Sequence, residues 1–313
     1  MLSLEALRML DYQLWLRAGA LAAERLHCSQ STVSRNNTQS LELFGLEIVR
    51  EGGEWQLIGD QSLLLLERRV HQVARLRQMS GMPLRIEANL WAAPSFLEPL
   101  PEGWEGGVWD HVGMARPLQL VRERVIDAWI GSYQPDLPDD DADLCVIDLC
   151  ATPVHLVAAL DHPLVGRDSI TTADLAAFPS LALPSGLFPK TEAVLRRHGL
   201  WQSRVRMKRY RPELWEGRTQ DQVTLTYATC LGLALWRGLT PLNYDLGLVS
   251  GEALVVRRDV LNEPSIQTLL LRLRQRSLDL SERHPELVPL GPGRDSPHLG
   301  IKNPARREQE GSQ

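Results

Sequence analysis

Along residues 4–48, apolar positions recur at steps of three and four between short polar breaks. The segment is rich in Ala, Leu and Arg, so it reads as a set of short helices. Glu51-Gly52-Gly53-Glu54 then separates Ile48-Val49-Arg50 from Trp55-Gln56-Leu57-Ile58. Glycine accepts positive φ at both central positions of a two-residue turn, which predicts a small β-hairpin. Between residues 60 and 80, Leu63, Leu66, Val70 and Val73 form a heptad seam with Arg68, Arg69, Arg75 and Arg77 around it. Such a seam predicts a dimerising helix, and Gly81-Met82-Pro83 ends it. Farther on, apolar strands (Leu84 to Ala88, Asp127 to Ile130, Cys145 to Leu149, Val154 to Ala158) alternate with helical stretches (Pro117 to Val125, Thr171 to Ala177, Lys190 to His198). That alternation predicts an α/β domain with a mainly parallel sheet. After about Gly291 periodicity ends in a Gly/Pro/Arg/Glu-rich stretch, which reads as a flexible tail.

The chain has 313 residues, of which 43% are hydrophobic and 23% charged, so it can bury substantial cores and divides into two or three domains. No apolar run approaches the roughly 20 residues a membrane span needs. Met1-Leu2-Ser3-Leu4-Glu5 lacks a basic start before an apolar segment, which argues against a secretory signal. Cys28, Cys145, Cys150 and Cys230 are scattered and form no C-x-x-C pair, which fits a reducing cytoplasm. The net charge of −5 speaks against indiscriminate coating of nucleic acid, but its distribution is uneven. Residues 1–80 balance nine arginines against nine acids, residues 98–150 sum to −9, and residues 190–237 to +6. In the last of these, Arg196, Arg197, Arg204, Arg206, Lys208, Arg209 and Arg211 occur with no acid between them. This run is read either as solvated helix and strand positions or as a surface for an acidic partner.

The most informative stretch runs from Ala22-Ala23-Glu24-Arg25-Leu26 through Ser29-Gln30-Ser31-Thr32-Val33-Ser34-Arg35. Two alanines and a leucine permit close packing of one short helix, and after a three-residue break Ser29 stands where the next helix needs its N-cap. That second helix presents Gln30, Ser31, Thr32, Ser34, Arg35, Asn36 and Asn37 around an inward Val33. Helix, turn and polar helix is a layout that enters the major groove amino end first, with Arg, Asn and Gln able to make bidentate base contacts. Two short helices of any α-rich domain give the same pattern, so the neighbouring hairpin, heptad and α/β region strengthen the reading.

At this level the chain resembles the LysR-type transcriptional regulators. The residues carrying the resemblance are the helix-turn-helix core just quoted, Phe44-Gly45 with Ile48-Val49, then His162-Pro163-Leu164, Asp174-Leu175-Ala176 with Pro179, and Leu231 to Leu235. The resemblance implies a multi-domain α+β chain: a winged helix-turn-helix over residues 1–59, a dimerisation linker helix over 60–82, and an effector-binding domain over 83–290. That last domain is implied to be α/β, like a periplasmic binding protein, with two subdomains around a cleft; 291–313 is the tail. The implied partners are double-stranded DNA, a small-molecule effector and a second copy of the chain, with tetramers suggested by the resemblance alone. Departures are Ala18 at a usual Ser cap, Asn37 and Ser40 at usually apolar positions, and Glu51 and Glu54 beside the wing.

The expected DNA-binding residues are Ser29, Gln30, Ser31, Thr32, Ser34, Arg35, Asn36, Asn37 and, on the wing, Arg50. An interdomain cleft collects strand ends and helix amino termini, so Asn89, Trp91, Ser95, Gly131, Ser132, Ser185, Gly186 and Thr226, with Pro184, are the candidate effector-binding residues. Each is also an ordinary turn-type residue. Asp139-Asp140-Asp141 lacks the spacing of a calcium loop, His155 and His162 lack metal-ligand spacing, and Cys145 and Cys150 read as buried thiols rather than a redox pair. With no G-x-S-x-G, P-loop or H-E-x-x-H, the expectation is a non-enzymatic regulator without cofactor or metal. The alternative is a regulator-like protein with a degenerate DNA-binding surface that acts through protein contacts. A metabolic enzyme or solute-binding protein is disfavoured.

Overall fold

The computed structural model describes residues 4–291 except 52, 133, 139–140, 184, 205–222 and 237. The expected tail beyond Gly291, Pro184 and the basic run from Arg206 to Arg211 lie outside the described residues. The first helix, α1 (Leu4–Leu16), is apolar nearly all round. Leu7, Leu10 and Leu14 join Leu46 and Leu64 in a small core of the amino-terminal head. Met9, Tyr12, Trp15 and Leu16 belong instead to a large core that includes Leu118, Val121 and Trp129. A helix with apolar residues on most of its sides has to be largely enclosed, and α1 is sandwiched between its own head and the α/β region.

Helix α2 (Gly19–Arg25) buries Ala22 and Ala23 and, as Ala18 predicts, starts without a side-chain cap. Helix α3 (Gln30–Phe44) is capped by Ser29, whose Oγ accepts the Thr32 N–H at 3.1 Å. It ends on Gly45 at φ 64, where the N–H groups of Gly45 and Leu46 turn back to the carbonyls of Glu42 and Leu41. That left-handed closure suits glycine, which has no Cβ to clash. Strands β1 (Glu47–Glu51) and β2 (Glu54–Ile58) pair antiparallel with Glu51 opposite Glu54, the hairpin expected from the Gly-Gly turn.

Helix α4 (Ser62–Leu76) occupies the predicted linker but inverts the usual amphipathic arrangement. Arg68, His71, Gln72 and Arg75 are buried beside Leu64, Ala74 and Leu76, whereas Leu63, Leu66, Val70 and Val73 stand 50–64% exposed. Burying charge is costly unless it is paired, and each buried cation of α4 has its acid. Arg68 Nε donates to Asp11 at 2.8 Å and its Nη1 reaches Glu123 at 3.2 Å. Arg75 donates twice to Asp127, at 2.8 and 2.9 Å, and Gln72 adds a third bond at 3.0 Å.

The α/β region begins with β3 (Leu84–Ala88), α5 (Ala93–Phe96), β4 (Trp104–Gly106), α6 (Ala115–Arg122), β5 (Ala128–Ser132), β6 (Leu144–Asp148) and β7 (Cys150–Pro153). A second unit follows with β8 (His155–Ala159), α7 (Thr172–Ala176), β9 (Leu181–Ala182), α8 (Pro189–Arg197), β10 (Ser203–Arg204), β11 (Thr226–Ala228), α9 (Cys230–Leu235) and β12 (Leu239–Pro241). The chain returns through β13 (Val249–Ser250), β14 (Glu252–Arg257), α10 (Pro264–Arg283) and β15 (Val288–Pro289). The first sheet has the order β4-β3-β5-β14-β6, and the second unit contains β11-β8-β12. Strand β3 runs parallel to β4 and β5, but β14 is antiparallel to both β5 and β6, and β8 is antiparallel to both its neighbours. The expectation of a mainly parallel sheet is therefore corrected to a mixed one. The reason is the crossing: β7 leads out, β13 pairs antiparallel to it on the way back, and the returning strand enters the first sheet reversed.

Candidate nucleic-acid interface and effector cleft

On α3 the side chains of Gln30, Ser31, Ser34 and Arg35 are exposed, as is the cap Ser29, while Val33 is fully buried. Ser29 Oγ lies 2.7 Å from Ser31 Oγ and 2.8 Å from Thr32 Oγ1, a hydroxyl cluster at the amino end of the helix. Thr32 and Asn36 are half-buried, and the Asn36 amide donates to the Thr32 carbonyl at 2.9 Å. Asn37, expected on the DNA-facing side, is 4% exposed and donates to Gln13 Oε1 at 2.8 Å. Four residues after Val33, it shares the inward face with Ser40, so its amide serves packing against α1 and not readout. On the wing, Arg50 is exposed, with its guanidinium 5.3 Å from the centre of the Trp55 ring. Glu54 does not face outward from the wing: it pairs with Arg17 at 3.0 Å and Arg116 at 3.5 Å.

The head meets the α/β region through charged and aromatic groups that sequence reasoning did not pair. The Tyr12 hydroxyl donates to Glu105, and Arg25 pairs with the same carboxylate at 2.5 Å. The Trp15 indole N–H donates to Glu87 at 2.8 Å, and Arg17 pairs with Asp110. Arg85 reaches Asp11 at 3.5 Å and stacks over the Tyr12 ring at 4.4 Å. Burial pushes Glu87 up to about 7, against the N–H groups of Trp15, Ala88 and Trp109, which favour its carboxylate.

In the expected cleft, Asn89 follows β3, is buried, and its carbonyl accepts from the N–H groups of Ala92 and Ala93. Half-buried Trp91 donates its indole N–H to Ser132 Oγ at 2.6 Å, and Ser132 donates in turn to Glu252. The structure thus brings Trp91 and Ser132 together with a fully buried acid that was not anticipated. Ser132 ends β5 and Glu252 starts β14 directly opposite it, a pairing that period-two alternation within one strand cannot reveal. Burial pushes the Glu252 carboxyl up to about 8, outweighing the Ser132 hydroxyl. Ser95 is half-buried within α5. Gly131, expected to line the cleft, has its missing side chain replaced by Trp129: a Cβ there would stand 2.6 Å from that ring. Its role is therefore packing. Ser185 and Gly186 are exposed in the turn before α8, with the Gly186 N–H 3.4 Å from Glu192. Thr226 lies on the other sheet, opposite Val157, fully buried and, among the described residues, with no hydrogen-bond partner for its hydroxyl.

Other candidate groups are tied into the fold. His155 contacts Glu286 at 2.9 Å, and buried His162 packs on Phe178 with ring centres 4.5 Å apart. Cys145 and Cys150 fall on successive strands, and burial raises the Cys150 and Cys230 thiols, which disfavours the reactive thiolate. Among the described residues no group of three or more His, Cys, Asp or Glu could hold a metal ion, and no helix is long and apolar enough to cross a membrane.

Residues 110–211 match the family model of the LysR substrate binding domain. That match spans about a third of the chain, and this part is similar to a LysR substrate-binding domain. The α/β region and the head together have the fold of a full-length cysteine-to-aspartate variant of OxyR from Pseudomonas aeruginosa: TM-score 0.56 at 17% identity, covering 88% of this chain and 95% of the other. A probable transcriptional regulator from the same organism gives 0.54 at 17% identity, over 88% and 97% of the two chains. The regulatory domain of MetR from Neisseria meningitidis gives 0.51 at 15% identity, over 67% of this chain and 98% of that one. No curated protein matches the chain. The resemblance read from the sequence is thus met by a LysR family model over residues 110–211 and by the fold over most of the length.

Proposed function

We propose that the chain is a DNA-binding transcriptional regulator whose activity is set by a small molecule bound in the cleft of its LysR domain. The observation that carries this reading is α3, a helix capped by Ser29 that offers Gln30, Ser31, Ser34 and Arg35 to solvent beside a wing carrying Arg50. Short hydroxyls and N–H groups at such a helix start suit phosphate, and Arg35 and Gln30 suit base edges. Thr32 and Asn36 contribute at the margin of that face. The exposed stripe of Leu63, Leu66, Val70 and Val73 supports pairing with a second copy, because its heptad spacing fits an identical helix and an apolar stripe of this kind is poorly accommodated by water. Two heads then address a roughly dyad-symmetric site. For the effector, Trp91, Ser132 and Glu252 form the candidate polar anchor, with Asn89, Ser95, Ser185, Gly186 and Thr226 as further candidates.

Selection of genomic fragments by the purified chain, followed by mobility shift, tests the reading. Retarded fragments sharing an inverted repeat are expected, with binding weakened at least about tenfold by Arg35→Ala, the loss of one good base contact. A folded protein that shifts no fragment at low salt refutes it. The second reading, action through protein contacts with a degenerate DNA surface, is favoured by the engagement of Arg17, Arg25, Arg68 and Arg75 with carboxylates. It requires Arg35→Ala to leave the cellular output unchanged.

A further inference from the structure

We propose that the LysR domain holds the DNA-binding head in an acid-lined socket filled by Tyr12, Trp15 and Arg17, and that β3 passes the state of the cleft to the head through it. The socket acids are Glu87, Glu105 and Asp110. Glu105 and Asp110 come from the segment whose balance is −9, so part of that excess charge has a destination within the molecule. Trp15 and Arg17 are almost fully buried, and so is Glu87.

The loop after β4 closes tightly on the Glu87 carboxylate. A Cβ on Gly107 would stand 1.9 Å from Glu87 Oε2, so only glycine lets the backbone pass there. The Trp109 N–H donates to Glu87 at 3.1 Å and His111 Nε2 lies at 3.7 Å. The groups facing this carboxylate are therefore the Trp15 indole and the Arg17 guanidinium from the head, the Trp109 N–H and His111 from the loop, and the Ala88 N–H from its own strand. Arg17 is balanced in turn by Asp110 and Glu54 and lies 3.4 Å from His111 Nδ1.

Strand β3 touches both ends of the relay. Arg85 reaches Asp11 of the head, Glu87 holds Trp15, and two residues farther Asn89 opens the loop whose Trp91 bonds Ser132 in the cleft. The strand is pinned to β5 through Ile86 opposite Ala128 and Ala88 opposite Ile130, so it moves as a unit with its sheet. A displacement of the Trp91 loop is delivered to Trp15 with little slack, since packed interiors are stiff.

The test follows the Trp15 indole N–H by NMR in the full-length chain carrying labelled tryptophan, with Trp15→Phe assigning the signal. A slowly exchanging signal is expected that titrates with Glu87 near neutral pH, loses that titration in Glu87→Gln, and shifts in Ser132→Ala. An indole that exchanges as freely as an exposed one overturns the socket. A signal that responds to Glu87→Gln but not to Ser132→Ala or Trp91→Phe overturns the relay. If Glu87→Gln does not fold, the pH titration of the unmodified chain decides on the socket. None of these readouts needs DNA, so the result stands apart from operator binding.

Discussion

On the proposed function, the partition of arginines sets a measurable limit on how the head would hold DNA. Of the nine arginines in residues 1–80, Arg17, Arg25, Arg68 and Arg75 meet carboxylates, and Arg77 pairs with Glu263. Helix α3 carries Arg35 and the wing carries Arg50, both exposed; Arg8 lies over the Tyr12 ring and Arg69 is exposed on α4. Each phosphate neutralised releases counterion, so a pair of heads with about four such cations gives a salt slope of about −3.6, or about a 150-fold loss of affinity between 50 and 200 mM salt. Removing Arg35 from both chains leaves about two, a slope of about −1.8 and about a 12-fold loss over the same range. Serine hydroxyls and helix N–H groups release no counterion and do not alter the slope. Fluorescence anisotropy on one labelled duplex, repeated across salt concentrations for wild type and Arg35→Ala, measures both slopes. A wild-type slope steeper than about −7 refutes the reasoning, because even with Arg8 and Arg69 counted in both chains it needs cations that the structure pairs with internal acids.

Arg75→Met leaves Asp127 buried with only the Gln72 amide and the Arg85 N–H as partners, and is expected to destabilise the fold by about 3–5 kcal/mol in urea denaturation. A loss below about 1 kcal/mol contradicts that account of the linker. The Glu252 carboxyl is raised from 4.5 to about 8 on folding, so the native state binds the extra proton. Its contribution to stability is full below pH 4.5 and declines as pH rises to about 8, by roughly 4 kcal/mol. Glu252→Gln should flatten this part of the stability–pH curve relative to wild type, and superimposable curves argue against it. Leu66→Glu together with Val70→Glu should shift the chain to monomer in sedimentation while keeping its melting cooperative; an unchanged oligomer places the interface elsewhere.

Much of the local structure was legible because periodicity reports faces. The Ser29 cap, the Gly-Gly hairpin and the strand at Leu84–Ala88 follow from spacing and turn chemistry. The exposed seam at Leu63, Leu66, Val70 and Val73 follows in the same way, although a seam alone does not say that the opposite, charged face is buried. That face is buried because Asp11, Glu123 and Asp127 meet it, and partners some 50–60 positions distant leave no local trace. The enclosure of α1 was visible in principle, since Leu4–Leu16 has too little polar character for a surface helix. Asn37 was misplaced because composition outweighed spacing: four residues from Val33 is the inward side whatever the residue type. The antiparallel β14 depends on the long return through β13, which no window of the sequence contains.

The reversed polarity of α4 has a consequence for how such a chain can vary. One face is committed to acids of its own molecule and the other stands exposed for the proposed second copy, so on that reading the helix is keyed on both sides at once. Inserting or deleting a single residue turns everything downstream by about 100° and breaks both registers together. A change of seven residues nearly restores the angles but slides Arg75 by about 10 Å along the axis, well beyond the reach of Asp127. This connector is therefore a fixed-length gear shaft, and diversity is expected in what flanks it, not in its length.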